Sequence, residues 1–198
     1  MARLGSFIFE KRLKSLTEHL LKFLPPDTSL QGLDVGCGSG ELAVSVQRRR
    51  PNITIEGVDV LLREGQLPIK IAKFNGKTLP FPDKSFDFVM IVDVIHHTQN
   101  QLMLLKECQR VARQFILIKD HICGSSWDRL RLKVMDWVGN RVYNVALPYS
   151  YLSRQGWLLL YRDLGIEGSI IPIQLNCYPW PFSYVFDSTL HFISKLPL

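Results

Sequence analysis

The stretch Leu30-Gln31-Gly32-Leu33-Asp34-Val35-Gly36-Cys37-Gly38-Ser39-Gly40, continued by Glu41-Leu42-Ala43-Val44, decides the fold. Leu30 to Val35 reads as a short strand, Gly36 to Gly40 as a glycine-rich turn, and Glu41 to Arg49 as a helix that ends before Pro51. Gly36, Gly38 and Gly40 remove Cβ atoms where a ligand must approach the backbone, and the helix behind them offers unpaired N–H groups at its N-terminus. The spacing is G-x-G-x-G, whereas dinucleotide-binding turns carry G-x-G-x-x-G. That difference moves the expectation away from NAD and FAD and toward another nucleotide-like ligand.

Working outward, Ile53 to Asp59 predicts a second strand and Ile69 to Phe74 a weaker third. Phe86 to Val94 is almost continuously apolar, as suits a strand buried on both faces. Gln101 to Arg113 predicts a helix and Phe115 to Ile118 a fifth strand, after which Lys119, Asp120 and His121 mark a change to polar residues. Strand and helix alternate throughout, which is the signature of an α/β fold with a doubly wound parallel sheet. Upstream, Leu13, Leu16, Leu20, Leu21 and Leu24 lie on one stripe of an amphipathic helix over Phe7 to Leu24, stopped by Pro25 and Pro26. Downstream, Gly124 to Tyr149 is irregular, with one helix at Trp127 to Val138; Tyr151 to Leu164 reads as a further helix. Ile166 to Leu175 and Thr189 to Ser194 read as a closing strand pair.

The chain has 198 residues, 46% of them hydrophobic and 21% charged, which suits one domain with a real core and excludes a modular protein. Its 24 Lys+Arg against 18 Asp+Glu leave a net charge of +6, enough to raise nucleic acid or an anionic membrane surface as partners without deciding for either. Four cysteines, Cys37, Cys108, Cys123 and Cys177, form no C-x-x-C pair, so neither a disulfide scaffold nor a zinc knuckle is expected, and a reducing cytoplasmic compartment is. Glu10 and Lys11 interrupt the N-terminus before a signal-peptide apolar region forms, and the apolar run Phe86 to Ile95 falls well short of the roughly 20 residues that cross a bilayer. At most a peripheral membrane contact is expected.

Asp59 follows Gly57-Val58 at the end of the second strand. In a doubly wound sheet it neighbours the glycine turn, where a carboxylate can accept both hydroxyls of a ribose. Asn75-Gly76-Lys77-Thr78-Leu79-Pro80-Phe81, in the loop after the third strand, offers an amide and apolar residues suited to the edge and face of an adenine. With LDVGCGSGELA, GVD, LPFPDKSFDFVMIVDVIHH and LKECQRVAR in this order over about residues 30 to 121, the chain resembles the class I S-adenosylmethionine (SAM)-dependent methyltransferases. The branch that methylates ubiquinone, menaquinone and other small molecules is the most similar.

The resemblance implies a Rossmann-like, doubly wound sheet of seven strands, mostly parallel with an antiparallel last strand, an N-terminal helix and a lid insertion after the fifth strand. It implies one domain over residues 1–198: the N-terminal helix in 1–29, a SAM-binding core in 30–121, a substrate lid in 122–150, and a C-terminal helix and strand pair in 151–198. Asp34, Gly36, Cys37, Gly38 and Gly40 would hold the methionine end of SAM, Asp59 the ribose, and Asn75 with Gly76 the adenine. Asp93 and Val94 would line the methyl-donating side. Asn75 stands where the family usually carries Asp, and the helix after the second strand is shortened to Leu61-Leu62-Arg63-Glu64-Gly65.

Transfer to an OH or an acidic C–H needs a base, and histidine titrates near neutral pH. His96 and His97 follow the fourth strand and Asp120 and His121 the fifth. These strands are neighbours in the family's order, so His97, His121 and Asp120 are the catalytic candidates, with Asp120 or Asp93 orienting a histidine. Consecutive histidines at a strand end should point apart, and no metal site is expected from His96, His97, His121 and Asp120. Trp137, Tyr143, Tyr149 and Tyr151 would wall the acceptor crevice. Arg129, Arg131 and Lys133 could touch an anionic lipid, a substrate group or RNA phosphate, whereas Arg48, Arg49 and Arg50 complement a helix C-terminus. The expected function is methyl transfer from SAM to a small or medium-sized, aromatic or lipophilic acceptor. An RNA methyltransferase and a SAM-binding regulatory protein without turnover are the alternatives.

Overall fold

The computed structural model describes residues 2–63, 69–140, 148–180, 182–186 and 190–198. Its strands are β1 (Leu30–Val35), β2 (Ile53–Asp59), β3 (Ile71–Lys73), β4 (Phe86–Val92), β5 (Ala112–His121), β6 (Ile171–Ile173) and β7 (His191–Pro197). They form one sheet of order β3-β2-β1-β4-β5-β7-β6. The first five are parallel to one another, and β7 runs antiparallel to both β5 and β6. The helices are α1 (Ala2–Leu21), α2 (Glu41–Arg49), α3 (Gln101–Val111), α4 (Ser126–Asn140), α5 (Arg154–Asp163) and α6 (Phe182–Phe186), with a 3₁₀ turn at Ile95–His97.

The apolarity of β4 follows from its place in the middle of the sheet. Val89 and Ile91 join Leu33, Val35, Ile116 and Ile118 in a core shared with α3 and α5. Phe88 and Met90, alternating with them, join Leu30, Ile53, Phe115 and Leu117 in a core shared with α1 and α2. Caps set the helix starts: the Asn100 side chain accepts from the Met103 N–H at 3.0 Å and Ser153 accepts from the Gly156 N–H at 3.1 Å. No helix among the described residues is long and apolar enough to cross a membrane.

Two expected boundaries need correction. β5 does not stop at Ile118: Lys119, Asp120 and His121 are strand residues, paired in register with Ile193, Phe192 and His191 of β7, and all three are buried. Buried charge in a central strand survives because the groups pair with one another. The closing strands differ from the expectation as well: β6 is confined to Ile171–Ile173, inside the expected span, and β7 starts later and runs further, from His191 to Pro197. Of the shortened segment after β2, Leu61 to Arg63 is described and not helical; Glu64 and Gly65 lie outside the described residues, as does Tyr143.

Candidate functional site

The carboxyl ends of β1, β2, β4 and β5 meet along one edge of the sheet, the place where open α/β sheets bind ligands. At the end of β1 the chain turns through Gly36 (φ +74°) and Gly38 (φ +58°), left-handed conformations that only glycine adopts without cost. A Cβ on Gly36 would lie 2.4 Å from Val94 Cγ2, so the turn packs directly onto the residue that leads out of β4. Asp59 closes the other side. One of its oxygens accepts from the Gly38 N–H at 2.8 Å and the other from the Leu61 N–H at 3.0 Å, and each oxygen keeps a lone pair for a ribose hydroxyl. Asp34 is buried, and burial together with the Asp59 charge pushes its carboxyl up to about 7. Burial and the two carboxylates push the Cys37 thiol far above its usual range, so it is packing and not a nucleophile.

Asn75 closes the loop after β3. Its side-chain oxygen already accepts from the Lys77 and Thr78 N–H groups at 2.9 and 2.8 Å. Both lone pairs are then used, and the amide NH₂ is the group left to meet an adenine edge. Gly76, at φ +75°, forms the turn beside it.

The other half of the edge is a network of buried charge. Asp93, in the left-handed region at φ +57°, pairs with Arg12 of α1 and with Lys119 of β5, the latter at 2.5 Å. Burial opposes its charge, but Lys119 and Arg12 outweigh burial and hold the carboxyl well below the usual carboxylate range. Lys119 also contacts His191 Nδ1 at 3.2 Å. Asp120, fully buried, accepts from the Ile95 N–H at 3.1 Å, the His121 N–H at 2.7 Å and His96 Nδ1 at 2.5 Å. Asp136 of α4 reaches the far side of His96, its Oδ2 3.4 Å from Nε2, and accepts from the Tyr151 hydroxyl. Burial works against a charged His96, yet Asp120 and Asp136 raise it to about 10, whereas burial and the His96 charge push His97 down to about 4. His121 is lowered, first by burial and then by Lys119.

The two histidines do not point apart. The chain leaves β4 at Val92 and turns through the 3₁₀ turn, so the period-two argument does not apply, and the His96 and His97 rings lie 4.0 Å apart between centroids. The expected juxtaposition of β4 and β5 holds: His96, His97, Asp120 and His121 share one cluster, while Val94 packs against the glycine turn. Arg12, Lys119, Asp136 and His191 belong to the cluster too and were not candidates from the sequence. A lysine and an aspartate directly continuing an apolar strand were the available signal for Lys119 and Asp120. The Ser150 N–H donates to the His96 carbonyl at 3.0 Å and Gln101 donates to the Ser150 carbonyl at 2.8 Å, tying the end of the insertion to the 3₁₀ turn. Arg131 is engaged by Asp128 and the Val185 carbonyl, which leaves Arg129 and Lys133 as the exposed members of that basic trio.

Residues 33–115 match the family profile described as a methyltransferase domain. An uncharacterized protein of Methanocaldococcus jannaschii is 25% identical over 173 residues, 82% of this chain and 74% of that protein. The tRNA (carboxymethyluridine(34)-5-O)-methyltransferase of Schizosaccharomyces pombe is 30% identical over 104 residues, 51% of this chain and 43% of that one. The demethylmenaquinone methyltransferase of Anoxybacillus flavithermus is 28% identical over 123 residues, 56% and 52% of the two chains. The chain thus spans about half the length of these two enzymes. Among solved structures, a methyltransferase of Haloferax volcanii in complex with the Trm112 methyltransferase activator shares the fold at a TM-score of 0.73 and 14% identity, over 99% of this chain and 93% of that one. A SAM-dependent methyltransferase from Aquifex aeolicus does so at 0.62 and 17%, over 91% and 88%.

Proposed function

We propose that the chain is a class I SAM-dependent methyltransferase and that it methylates a small or medium-sized, aromatic or lipophilic acceptor held between the glycine turn and the His96–Asp120 cluster. SAM supplies an electrophilic methyl group on a sulfonium. The residues of the glycine turn suit it: Gly36 and Gly38 hold the left-handed backbone, Asp34 offers a buried carboxyl to a cationic ligand, and Asp59 offers acceptors for two hydroxyls. At the acceptor end, Asp120 fixes the orientation of the His96 ring through Nδ1, and His97 stands beside it as the more accessible imidazole. Asp93, held by Arg12 and Lys119, is a positioning residue that anchors the opening helix over the end of β4. Residues 122–150 are the proposed lid.

The observation that carries the reading is the packing of Val94 against Gly36, because it sets the His96–His97 turn directly beside the ligand cradle. Supporting a lipophilic acceptor, α4 buries Leu132 and Asp136 on one face and turns Trp127, Leu130, Val134, Trp137 and Val138 outward, each 42–59% exposed. The RNA reading loses support with Arg131 committed to Asp128. Incubation of the protein with methyl-labelled SAM and fractionated cell extract should put label in the organic-extractable fraction. Label confined to RNA would replace the acceptor class; no label anywhere, with SAM bound, would favour the regulatory reading.

A further inference from the structure

We propose that His96, His97 and Asp136 form a site for one divalent transition-metal ion at the acceptor end of the cleft. A nitrogen of each histidine and a carboxylate oxygen of Asp136 all lie within 4.8 Å of one another. His96 Nε2 and Asp136 Oδ2 are 3.4 Å apart and form no hydrogen bond. That separation is long for N–H···O but is the distance between two ligands each about 2.1 Å from a tetrahedral ion. His97 Nδ1 is likewise buried without a hydrogen-bond partner among the described residues. A buried imidazole nitrogen with no partner among the described residues, set beside a second imidazole and a carboxylate, is a costly arrangement unless something binds there.

The neighbouring set His96, Asp120 and His121 is also close enough to ligate, yet Asp120 is already occupied by three donors. Its contact with His96 Nδ1 is what an outer-shell carboxylate provides: it fixes the ring and directs Nε2 outward. Tyr151 does the same for Asp136. Two imidazoles and one carboxylate suit Zn²⁺, Fe²⁺ or Mn²⁺ and leave coordination positions for an oxygen of the acceptor. That last role rests on the methyl-transfer reading; the site itself does not.

The full chain, stripped with chelator, is equilibrated with Zn²⁺, Mn²⁺ or Co²⁺ separately and its bound metal counted by plasma mass spectrometry, without SAM. One equivalent is expected. His97→Ala and Asp136→Asn should each weaken binding at least tenfold, and the Co²⁺ spectrum should lack a thiolate charge-transfer band. Should Asp136→Asn fail to fold, His97→Ala, at a partly exposed position, keeps the comparison. No stoichiometric metal, equal retention by a folded variant, or a thiolate band would overturn the proposal. A SAM titration of the stripped protein separates that failure from failure of the cofactor assignment.

Discussion

The two halves of the cleft are built from different materials. The half proposed to hold the cofactor is mostly backbone: Gly36 and Gly38 in the left-handed region, a Gly38 N–H on Asp59, all from two adjacent strand ends. The acceptor half is side chain, with Arg12 from α1, Asp93, His96 and His97 from the exit of β4, Lys119 to His121 from β5, Asp136 from α4, Tyr151 before α5, and His191 from β7. A backbone cradle depends on its conformation and on few side chains, here Asp34 and Asp59, whereas a buried charge network fails when any member loses its partner. The family profile spans the cradle, and two relatives bear names with acceptors as unlike as a tRNA uridine and demethylmenaquinone.

The largest break should come in the acceptor half. Asp93→Ala leaves Lys119, fully buried, without its carboxylate, and denaturant unfolding should register a loss of about 3–5 kcal/mol. A loss under about 1 kcal/mol would mean that Lys119 simply sheds its proton and that the network is not what holds this region. Next, Gly36→Ala forces a Cβ into Val94 at φ +74° and should cost about 2–4 kcal/mol while abolishing SAM binding. Wild-type stability in that variant would remove the packing on which the adjacency of the two halves depends.

A smaller effect sharpens the chemistry of the cradle. Asp34 sits at about 7 because burial and Asp59 disfavour its charge, so it is mostly protonated below that pH and ionised above. A cationic ligand binds the ionised form better. SAM affinity should therefore rise between pH 6 and 8, by up to about tenfold, and level off above, with release of a proton on binding near pH 7. Calorimetry in buffers of different ionisation enthalpy reads that proton directly, and Asp34→Asn should flatten both the proton release and the pH dependence.

The same contrast explains what could be read from the residues alone. Glycine at a strand end has a specific conformational use, so G-x-G-x-G, the aspartate after Gly57-Val58 and the alternation of strand and helix were legible within one stretch of chain. The seven-stranded sheet with its antiparallel last strand came from the family resemblance that these motifs carry. The acceptor cluster joins residues as far apart as Arg12 and His191, and no local spacing announces such a pairing. Lys119 and Asp120 read as the end of a strand because isolated buried charge is prohibitive; only the partners on other elements make them strand residues. His96 and His97 read as diverging because the 3₁₀ turn after β4 has no clear sequence mark.

The central claim is that the cleft divides into a cofactor half and an acceptor half. One calorimetric series, SAM titrated into the wild type, Asp59→Ala and His97→Ala, tests it most directly. The account predicts at least a tenfold loss of affinity in Asp59→Ala and wild-type affinity in His97→Ala. Full SAM affinity in a folded Asp59→Ala protein, or a comparable loss in a folded His97→Ala protein, would contradict it.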